Sequence, residues 1–587
     1  MEITRLFDIL DNYLEQHPNQ EAALACKRDG EWRKFSIQEY TKLTDYISYG
    51  LIKLGIKKGD KVGIVSGNRP EWNMIDFAAM QIGAISVPIY PNISTDDYKH
   101  ILNHAEMSII FVEGQSLREK LTPIMEEVQS LKHIYTFVKQ NDEVPYLDQL
   151  IELGKEYSEP RKLAEIKKSI DKMEMATIIY TSGSTGVQKG VMLSHDNIVQ
   201  NFSRINHIPA KWSHTALSFL PLCHAYERML VYLYQSLGMS VYYAESLATI
   251  AQNIKEINPT MMTCVPRLLE KIYDKLWVSG LNFGFIQKNI YYWAFKLAKR
   301  YKVEHRTWFY NIEHAIADKL IYSKWRKAIG GNFDIVVSGG SAIQKEQAAF
   351  FSAIGMPVFE GYGLSETSPV IAVMNRGKGG RKFGTVGHVM PGTEMQIGEN
   401  NEILCRGHNV MLGYYKDPEL TKQVIDENGW FHTGDTGSIS KNGVLTITGR
   451  LKSLFKTSFG KYVNPEVIEA KFAESKFIEN VMVVGENQKY AGALISPDME
   501  YLKSWCNLHN IEFTTPEEII ENQVVKDRIT KDIKKYNEDF AGYEQVKVWK
   551  LVAEPWSMAN NFLTPTLKMK RKNIAVFYKN VIEALFK

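Results

Sequence analysis

The chain has 587 residues, of which 44% are hydrophobic and 23% charged, the composition of an ordinary soluble globular protein with room for several domains. Its net charge of +3 is too small to favour a nucleic-acid partner. Its five cysteines are widely scattered and include no C-x-x-C pair, which argues against a zinc site or a disulfide framework and fits a reducing compartment.

The start of the chain does not look like a targeting segment. Residues 1–19 mix charged side chains among apolar ones and lack the apolar core of a signal peptide. No apolar run in the sequence is long enough to span a bilayer. We therefore expect a cytoplasmic protein that is still able to touch a membrane surface.

The first third of the chain alternates between two kinds of pattern. Compact apolar runs predict strands at 61–65, 85–89 and 108–112, and helical patterns lie between them at 37–51 and 72–82. Ser36, followed three residues later by Glu39, is a typical N-cap for the first of these helices. Strands that alternate with helices predict a parallel sheet and an α/β fold.

A glycine-rich stretch lies between a predicted buried strand at 176–180 and a predicted helix that begins at His195. It combines glycines, hydroxyl side chains and one lysine: Thr181, Ser182, Gly183, Ser184, Thr185, Gly186 and Lys189. Glycines let backbone N–H groups approach an anion, hydroxyls donate to phosphate oxygens, and lysine adds a positive charge. The stretch indicates a polyphosphate site, although Gly183 and Gly186 are too close together for the common P-loop. The alternative is a flexible surface loop.

Residues 286–329 mix aromatic and basic side chains. The aromatic residues are Tyr291, Tyr292, Trp293, Phe295, Trp308, Phe309, Tyr310 and Trp325. One interpretation is an interfacial helix on an anionic membrane. The other is a helical insertion whose aromatic rings pack inward while its lysines face water.

Two further segments, 334–342 and 357–367, are strands that run into glycine turns. Ligands bind at strand ends in open α/β sheets, so both turns are candidate ligand sites. In the second, Tyr362 between two glycines can stack on a purine, and Glu366 can supply an oxygen to Mg²⁺. The alternative for Glu366 is an ordinary solvated carboxylate.

In this order, these segments resemble the adenylate-forming superfamily, which includes acyl-CoA synthetases, luciferases and peptide-synthetase adenylation domains. Segments 430–437 and 446–456 resemble later motifs of the same superfamily. The similarity extends from about residue 5 to about residue 575 and is weakest in 115–170 and 280–330.

The resemblance implies that ATP and Mg²⁺ bind here. It implies a nucleotide site formed by Thr181, Ser182, Gly183, Ser184, Thr185, Lys189, Gly340, Ser341, Ala342, Gly361, Tyr362, Gly363, Ser365, Asp435 and Arg450. Within that set, Tyr362 stacks on adenine, Asp435 accepts the ribose hydroxyls, and Arg450 contacts ribose and phosphate. Thr185 and Glu366 hold the metal.

The resemblance also assigns roles near the C-terminus. Lys452 stands at the hinge of a mobile C-terminal domain, and Lys456 matches a lysine that favours thioester formation in some members. Lys568 matches the lysine that stabilises the charge of the adenylation step. The chain departs from the common pattern at Leu567 and Phe459, where many members have glycine.

Residues 220–228 and 264–273 resemble strings of the long-chain fatty acyl-CoA synthetase branch. That resemblance implies that His224 lies beside the substrate carboxylate at the mouth of an apolar tunnel. The alternative is that His224 is a structural histidine.

The resemblance implies an α/β fold, α+β overall, with a large N-terminal adenylation domain at 1–450 and a small mobile α+β domain at 451–587. The larger domain would combine layered α/β sheets with a β-barrel-like part. The implied reaction activates a long-chain fatty acid with ATP to acyl-AMP and transfers the acyl group to coenzyme A. The catalytic candidates are Lys568, Glu366, His224 and Lys456.

Two other functions stay open. One is a fatty-acyl adenylating enzyme with acyl carrier protein or another acceptor, and the other is a silent nucleotide- or lipid-binding protein. We expect fatty acid, ATP and coenzyme A as partners and no nucleic acid, with oligomer formation and a peripheral contact at the inner membrane face left open.

Overall fold

The computed structural model describes residues 2–140, 144–182, 188–564 and 568–587. The chain divides into two compact units. The larger comprises Met1–Gln396, Leu404–His432 and Ile439–Thr446, and the smaller comprises Ile397–Ile403, Thr433–Ser438 and Ile447–Lys587. The domain boundary between residues 450 and 451 stays a prediction.

The strands in chain order are β1 Leu24–Arg28, β2 Glu31–Phe35, β3 Lys61–Val65, β4 Ile85–Ile89, β5 Met107–Val112, β6 His133–Thr136, β7 Met175–Ser182, β8 Gln188–Ser194, β9 Thr215–Ser218, β10 Ser240–Tyr243, β11 Met261–Cys264, β12 Ile335–Ser338, β13 Val358–Gly363, β14 Val370–Val373, β15 His388–Val389, β16 Thr393–Ile397, β17 Glu402–Gly407, β18 Gly413–Tyr414, β19 Phe431–Ile439, β20 Leu445–Arg450, β21 Phe455–Lys456, β22 Tyr462–Val463, β23 Ile478–Val484, β24 Ala491–Pro497 and β25 Val546–Leu551.

The α-helices in chain order are α1 Asp8–Gln16, α2 Ile37–Lys53, α3 Pro70–Gln81, α4 Thr95–Ala105, α5 Gly114–Met125, α6 Leu147–Glu156, α7 Pro160–Ser169, α8 His195–Ser203, α9 Ala225–Ser236, α10 Ile250–Ile257, α11 Pro266–Ser279, α12 Phe285–Lys299, α13 Trp308–Ala317, α14 Ser323–Ile329, α15 Lys345–Ala353, α16 Pro418–Val424, α17 Pro465–Phe472, α18 Met499–Leu508, α19 Pro516–Glu521, α20 Gln523–Asn537, α21 Arg571–Phe577 and α22 Lys579–Leu585.

The larger unit is built in five layers that alternate helix and sheet. A seven-stranded sheet has the order β18-β8-β7-β4-β3-β5-β6, and a nine-stranded sheet has the order β15-β14-β13-β12-β11-β9-β10-β1-β2. Helices α3 and α9 lie between the two sheets, and all 12 residues of α3 are buried. The outer face of the first sheet packs against α4 and α5, and that of the second against α11, α12 and α15. Because both faces of each sheet are covered, the central parallel strands are apolar throughout.

The predicted alternation of strands and helices is confirmed. The structure places strands at Lys61–Val65 and Ile85–Ile89, and β3 pairs with β4 in parallel. The Ser36 side chain accepts the Glu39 backbone N–H, so the predicted N-cap is present. Because α3 is buried on all sides, including its polar residues Asn73 and Asp76, it must be covered by a sheet on each side.

The element that follows the glycine-rich stretch differs from the sequence prediction. A second strand, β8, stands between it and the helix that begins at His195, and β8 pairs antiparallel with β7. Thr181 lies opposite Lys189 and Ser182 opposite Gln188 in this register. The described strands before and after residues 183–187 therefore pair with each other, and a strand rather than a helix follows those residues.

The smaller unit contains the three-stranded sheet β23-β24-β25, with β24 antiparallel to β23 and parallel to β25. Its apolar core includes Ile468 and Phe472 of α17, Cys506 of α18 and Ile529 of α20. This is the α+β organisation that we expected for the C-terminal part. The chain also has a four-stranded sheet in the order β16-β17-β19-β20.

Most aromatic side chains of the helical segment 286–329 pack against the core of the larger unit. Tyr291, Phe295, Tyr310 and Trp325 are buried in one cluster with Phe350 of α15. Trp308 and Phe309 point the other way and are exposed. Within the part of the chain that the structure describes, every helix is too short or too polar to cross a lipid bilayer.

Candidate active site

The stems of the glycine hairpin are held by a pair of histidines on α4 that the sequence did not reveal. The ring of His104 makes a hydrogen bond of 2.8 Å from Nδ1 to the Tyr180 hydroxyl on β7, and His100 Nε2 lies 2.9 Å from the Gln188 carbonyl on β8. The two rings stack with centroids 5.2 Å apart. Burial and the neighbouring His100 lower the pKa of His104. The two histidine rings therefore hold both strands of the hairpin through hydrogen bonds from one helix.

At this hairpin the structure describes the two paired strands, up to Ser182 and again from Gln188. The predicted phosphate ligands Gly183, Ser184 and Thr185, and the side chain of Ser182, lie outside the described residues. Thr181 and Lys189 lie in the paired strands, where their backbones face each other.

Lys189 and Glu366 meet through Tyr414, another residue that the sequence analysis missed. The Lys189 ammonium lies 5.4 Å from the centroid of the Tyr414 ring, and the Tyr414 hydroxyl donates a hydrogen bond of 2.9 Å to Glu366 Oε1. Burial and the Glu366 carboxylate raise the pKa of Tyr414 above its usual value, so the hydroxyl keeps its proton. A cation, a hydroxyl and a carboxylate thus stand together beside the hairpin.

Pairing between distant segments creates this group. Strand β18 pairs antiparallel with β8, with Tyr414 opposite Val191, and the Met411 N–H donates to the Glu366 carbonyl at 2.9 Å. The 3-10 turn Ser365–Thr367 lies next to β8. Two asparagines of α8 hold the neighbouring loops: the Asn201 amide donates to the Val370 carbonyl at 2.9 Å, and the Asn197 amide donates to the Val410 carbonyl at 3.0 Å.

The two predicted glycine turns lie side by side at one sheet edge. Strands β12 and β13 are parallel neighbours, with Ser338 opposite Glu360, so the segments that follow them emerge together. Gly340 has a φ of +82°, a conformation that favours glycine, and the residues Gly340, Ser341, Ala342 and Gly363 are exposed while Gly361, Tyr362 and Ser365 are half-buried. A Cβ on Gly363 would lie 1.7 Å from the Pro369 carbonyl oxygen, so the turn requires glycine there. The result is an accessible platform of backbone and one aromatic ring.

His224 stands on a loop that two side chains of the α3 region hold in place. The Asn68 side chain, just before α3, donates to the Leu220 carbonyl at 2.7 Å and accepts the Leu222 N–H at 3.0 Å. Four residues after His224, Arg228 forms an ion pair with Asp76 of α3, with an Nη2–Oδ1 distance of 2.5 Å. The His224 ring stacks against Tyr90 with centroids 5.9 Å apart.

The same loop reaches the glycine turn after β12. The Tyr226 hydroxyl donates to the Val337 carbonyl at 3.2 Å, and the Tyr226 ring lies against Gly339, where a Cβ would come within 2.7 Å of it. Glu227 is buried and accepts a hydrogen bond of 2.5 Å from Ser218. Burial raises the pKa of Glu227 to about 8. His224 is therefore connected through Tyr226 to the glycine turn after β12, and its place beside a substrate carboxylate stays a prediction.

In the smaller unit, three predicted residues come together. Arg450 Nε lies 2.9 Å from Asp435 Oδ1. Lys568 lies close enough to both that they change its pKa: desolvation and the like charge of Arg450 lower the pKa of Lys568, and Asp435 and Glu466 oppose that shift. A carboxylate, a guanidinium and an ammonium thus share one region of this unit.

The other predicted residues of the smaller unit lie apart from Asp435, Arg450 and Lys568, or outside the residues that the structure describes. The Lys456 ammonium lies 4.7 Å from the centroid of the Tyr462 ring, in the β21–β22 pair. The turn at Phe459 forms without a glycine there, because Gly460 takes a φ of +73°. Lys452 lies in the 3-10 turn Leu451–Ser453 and its side chain is outside the described residues, as are Pro565 and Leu567.

Comparison with known proteins identifies the family of this chain. A family described as "AMP-binding enzyme" matches residues 10–415, and one described as "AMP-binding enzyme C-terminal domain" matches residues 453–587. The "Long-chain-fatty-acid--CoA ligase FadD15" of Mycobacterium bovis is 30% identical over 95% of this chain and 93% of its own length. The "Long-chain-fatty-acid--CoA ligase 1" of Cavia porcellus is 29% identical over 100% of this chain and 87% of its own.

Solved structures show the same fold. The adenylation domain of a carboxylate reductase from Mycobacterium chelonae superposes with a TM-score of 0.77 at 20% identity, covering 99% of this chain and 91% of that one. At this identity the likeness concerns the fold alone. The five layers of the larger unit and the α+β organisation of the smaller one thus agree with a known architecture.

Proposed function

Since the chain belongs to the family of AMP-binding enzymes, we propose that it is an AMP-forming ligase that activates long-chain fatty acids and transfers them to coenzyme A. A carboxylate oxygen of the fatty acid attacks the α-phosphorus of ATP, the bond to the β-phosphate breaks, and pyrophosphate leaves. The thiol sulfur of coenzyme A then attacks the acyl carbon as it loses its proton, and AMP leaves with the electron pair of the acyl–oxygen bond.

One observation carries this proposal: Lys189, Tyr414 and Glu366 stand together beside a glycine hairpin and two adjacent glycine turns. Phosphoryl chemistry needs positioning and charge stabilisation more than a nucleophile from the protein. A cation and a carboxylate next to an accessible aromatic platform suit that need. The names of the relatives support a long-chain fatty acid and coenzyme A as the substrates.

The residues present fit a magnesium ion. Mg²⁺ on nucleotide phosphates takes one or two carboxylates from a protein and keeps water and phosphate oxygens as its other ligands. Glu366, oriented by Tyr414, provides such a carboxylate, and Thr185 is proposed as the hydroxyl partner. When bound, Mg²⁺ supplies positive charge to the phosphate oxygens.

The remaining roles follow the residue types. Gly340, Ser341 and Ala342 would line the adenine and Tyr362 would stack on it. Asp435 would accept the ribose hydroxyls, and Arg450, which is paired with it, would contact the ribose and phosphate. Lys568 would offset the charge that develops on the α-phosphate during adenylation, and His224 would orient the fatty-acid carboxylate.

The second step needs a different arrangement around the same acyl-AMP. We propose that the C-terminal domain rotates about Lys452 between the two steps, so that Lys568 acts in adenylation and another face, including Lys456, acts in thioester formation. Hinged rigid-body motion of a small domain is a common way to complete a site in sequence. Peripheral contact with the inner membrane face and oligomer formation belong to the same proposal.

The test is pyrophosphate release from the purified chain with Mg·ATP, over a series of fatty acids, with and without coenzyme A. We expect release that depends on fatty acid, is strongest for long chains and leads to acyl-CoA when coenzyme A is present. The variant Glu366→Gln should lower this release, because it removes the carboxylate proposed to hold Mg²⁺. Accumulation of acyl-AMP without a thioester would replace coenzyme A by another acceptor, such as acyl carrier protein. ATP binding without any acid-dependent release would favour a silent binding protein and overturn the proposal.

A further inference from the structure

The helical segment from the last turn of α11 to β12 exposes an unusual amount of apolar surface. Of the 27 large apolar side chains that are exposed among the described residues, 11 lie between Val278 and Leu320. The most exposed are Phe285 (83%), Ile286 (73%), Trp308 (63%) and Phe309 (63%). An apolar concentration of this kind on a water-soluble surface marks an interaction site.

Five of these residues form one stripe. Trp308, Ile312 and Ile316 follow each other at four-residue intervals along α13, with Phe309 beside them, and Leu320 continues the series in the π-helical turn Asp318–Tyr322. Residues four apart lie on one face of a helix. We call these five residues the apolar stripe.

The stripe is held rigidly from behind. The Tyr310 hydroxyl donates to the Leu297 carbonyl at 3.2 Å, and the Tyr322 hydroxyl donates to the Ala294 carbonyl at 2.8 Å, both on α12. Trp325 packs against Tyr291 with ring centroids 5.1 Å apart. Successive residues of this series contact successively earlier residues of α12, so the two segments are antiparallel. The end of the stripe at Leu320 therefore points towards the start of α12, where Phe285 and Ile286 are exposed.

Positive charge is concentrated in the same segment. Residues 281–329 contain ten Lys and Arg against three Asp and Glu, a net charge of +7, whereas the whole chain has only +3. The exposed cations are Lys296, Lys299, Arg300, Lys302, Arg306, Lys319, Lys324 and Lys327. Of the three acids, Asp318 is already paired with Arg326 at 2.5 Å. The segment is therefore basic as well as apolar, while the rest of the chain is acidic on balance.

We propose that the apolar stripe, with Phe285 and Ile286, docks this protein on an anionic lipid bilayer. Helices that lie in the membrane interface bury an apolar face with aromatic residues and place lysine and arginine at the headgroups. A second copy of the chain fits less well, because a symmetric contact would bring two segments of charge +7 together. The inference deepens the proposed function and rests on it in one respect, because it names the surface that makes the peripheral membrane contact, and none of the proposed catalytic residues takes part in that surface.

The test is co-sedimentation of the full chain with vesicles of phosphatidylcholine alone and of phosphatidylcholine mixed with phosphatidylglycerol. We expect binding to the mixed vesicles that weakens as salt is added. The double variant Trp308→Ser, Phe309→Ser should bind at least about tenfold more weakly, because two exposed rings no longer enter the interface. The triple variant Arg300→Gln, Lys302→Gln, Arg306→Gln should lose the preference for anionic vesicles.

The control is the matched double variant Phe577→Ser, Leu508→Ser, which removes two apolar side chains that are exposed elsewhere and should bind as the unaltered chain does. Fatty-acid-dependent pyrophosphate release without vesicles should be unchanged in every variant, which separates a lost membrane contact from a lost fold or a failed ligase assignment. Equal binding of the stripe variant and the unaltered chain would overturn the proposal. So would a concentration-dependent dimer that the stripe variant abolishes.

Discussion

Arg228 and Asp76 form a two-bond ion pair between α9 and α3, with 2.5 Å from Nη2 to Oδ1 and 3.2 Å from Nε to Oδ2. Both side chains are almost fully buried, and the Arg228 guanidinium also donates to Thr177 Oγ1 of β7 at 2.8 Å. One guanidinium therefore ties the His224 loop, the central helix and the strand that leads to the glycine hairpin. This explains why an arginine ends the string 220–228.

Breaking this pair should destabilise the larger unit strongly. Asp76→Asn leaves a buried guanidinium without its counter-charge, and we expect a loss of about 3–5 kcal/mol in the free energy of unfolding. The double variant Asp76→Leu, Arg228→Met removes both charges and should recover most of that loss. Chemical denaturation followed by circular dichroism measures both. A single variant that loses less than about 1 kcal/mol would show that the pair is dispensable.

The buried Glu227 should make stability depend on pH. Burial raises the pKa of Glu227 from 4.5 to about 8, so the folded chain holds a proton that the unfolded chain releases. Its contribution to stability is thus complete below pH 4.5 and is lost as the pH rises through 8, with a slope that approaches about 1.4 kcal/mol per pH unit. Glu227→Gln should flatten this dependence between pH 5 and about 8, measured by denaturation at several pH values. Identical pH profiles of the variant and the unaltered chain would contradict the assignment.

Asn68 should act as a positioning residue for His224. Asn68→Ala removes the bonds to Leu220 and Leu222, each worth about 1 kcal/mol, so the loop loosens. We expect KM for the fatty acid to rise about tenfold with KM for ATP unchanged. Asn68→Asp keeps the acceptor for Leu222 and should rescue part of the effect. A parallel rise of both KM values would indicate a general loss of structure instead.

Lys568→Ala should separate the two half-reactions. Loss of a cation aimed at developing charge lowers the rate of acyl-AMP formation by about 10²–10³. Thioester formation from supplied acyl-AMP should change little, because the lysine is not needed for it in the proposed sequence. Lys572→Ala, a neighbouring exposed lysine, is the control. Equal losses in both half-reactions would remove Lys568 from its assigned role.

Glu366 and Tyr414 should control the magnesium requirement. Glu366→Gln removes the carboxylate charge and should raise the Mg²⁺ concentration for half-maximal pyrophosphate release by about tenfold or more. Tyr414→Phe removes only the hydrogen bond of 2.9 Å that orients Glu366, so its effect should be smaller and in the same direction. Glu419→Gln, an exposed carboxylate on α16, should leave the requirement unchanged. If Glu366→Gln leaves the magnesium titration unaltered, the metal is held elsewhere.

The sequence predicted those features that local patterns encode. Strands 61–65 and 85–89 were recognisable because short apolar runs are bounded by polar residues and glycine, and Gly340 and Gly363 marked turns that only glycine can make. The hairpin was missed because β8 is an apolar run next to a helix start, and such a run does not reveal its antiparallel partner.

The residues that assemble the site escaped for a different reason. Tyr414 acts on Glu366, and Asn68 acts on the His224 loop, over separations along the chain that no local motif records. His100 and His104 are four residues apart on α4, but their hydrogen-bond partners on β7 and β8 cannot be recognised from the sequence around them. Such residues become visible only when the sheets are in place.

The complete burial of α3 has a consequence for how long the site keeps its shape. A helix enclosed on every side has no route to local opening, so its amide hydrogens exchange with water only when the whole unit opens. Asn68, just before this helix, and Asp76, in its middle, hold the two ends of the His224 loop. The His224 loop is therefore anchored at both ends on a part of the fold that opens only when the whole unit unfolds.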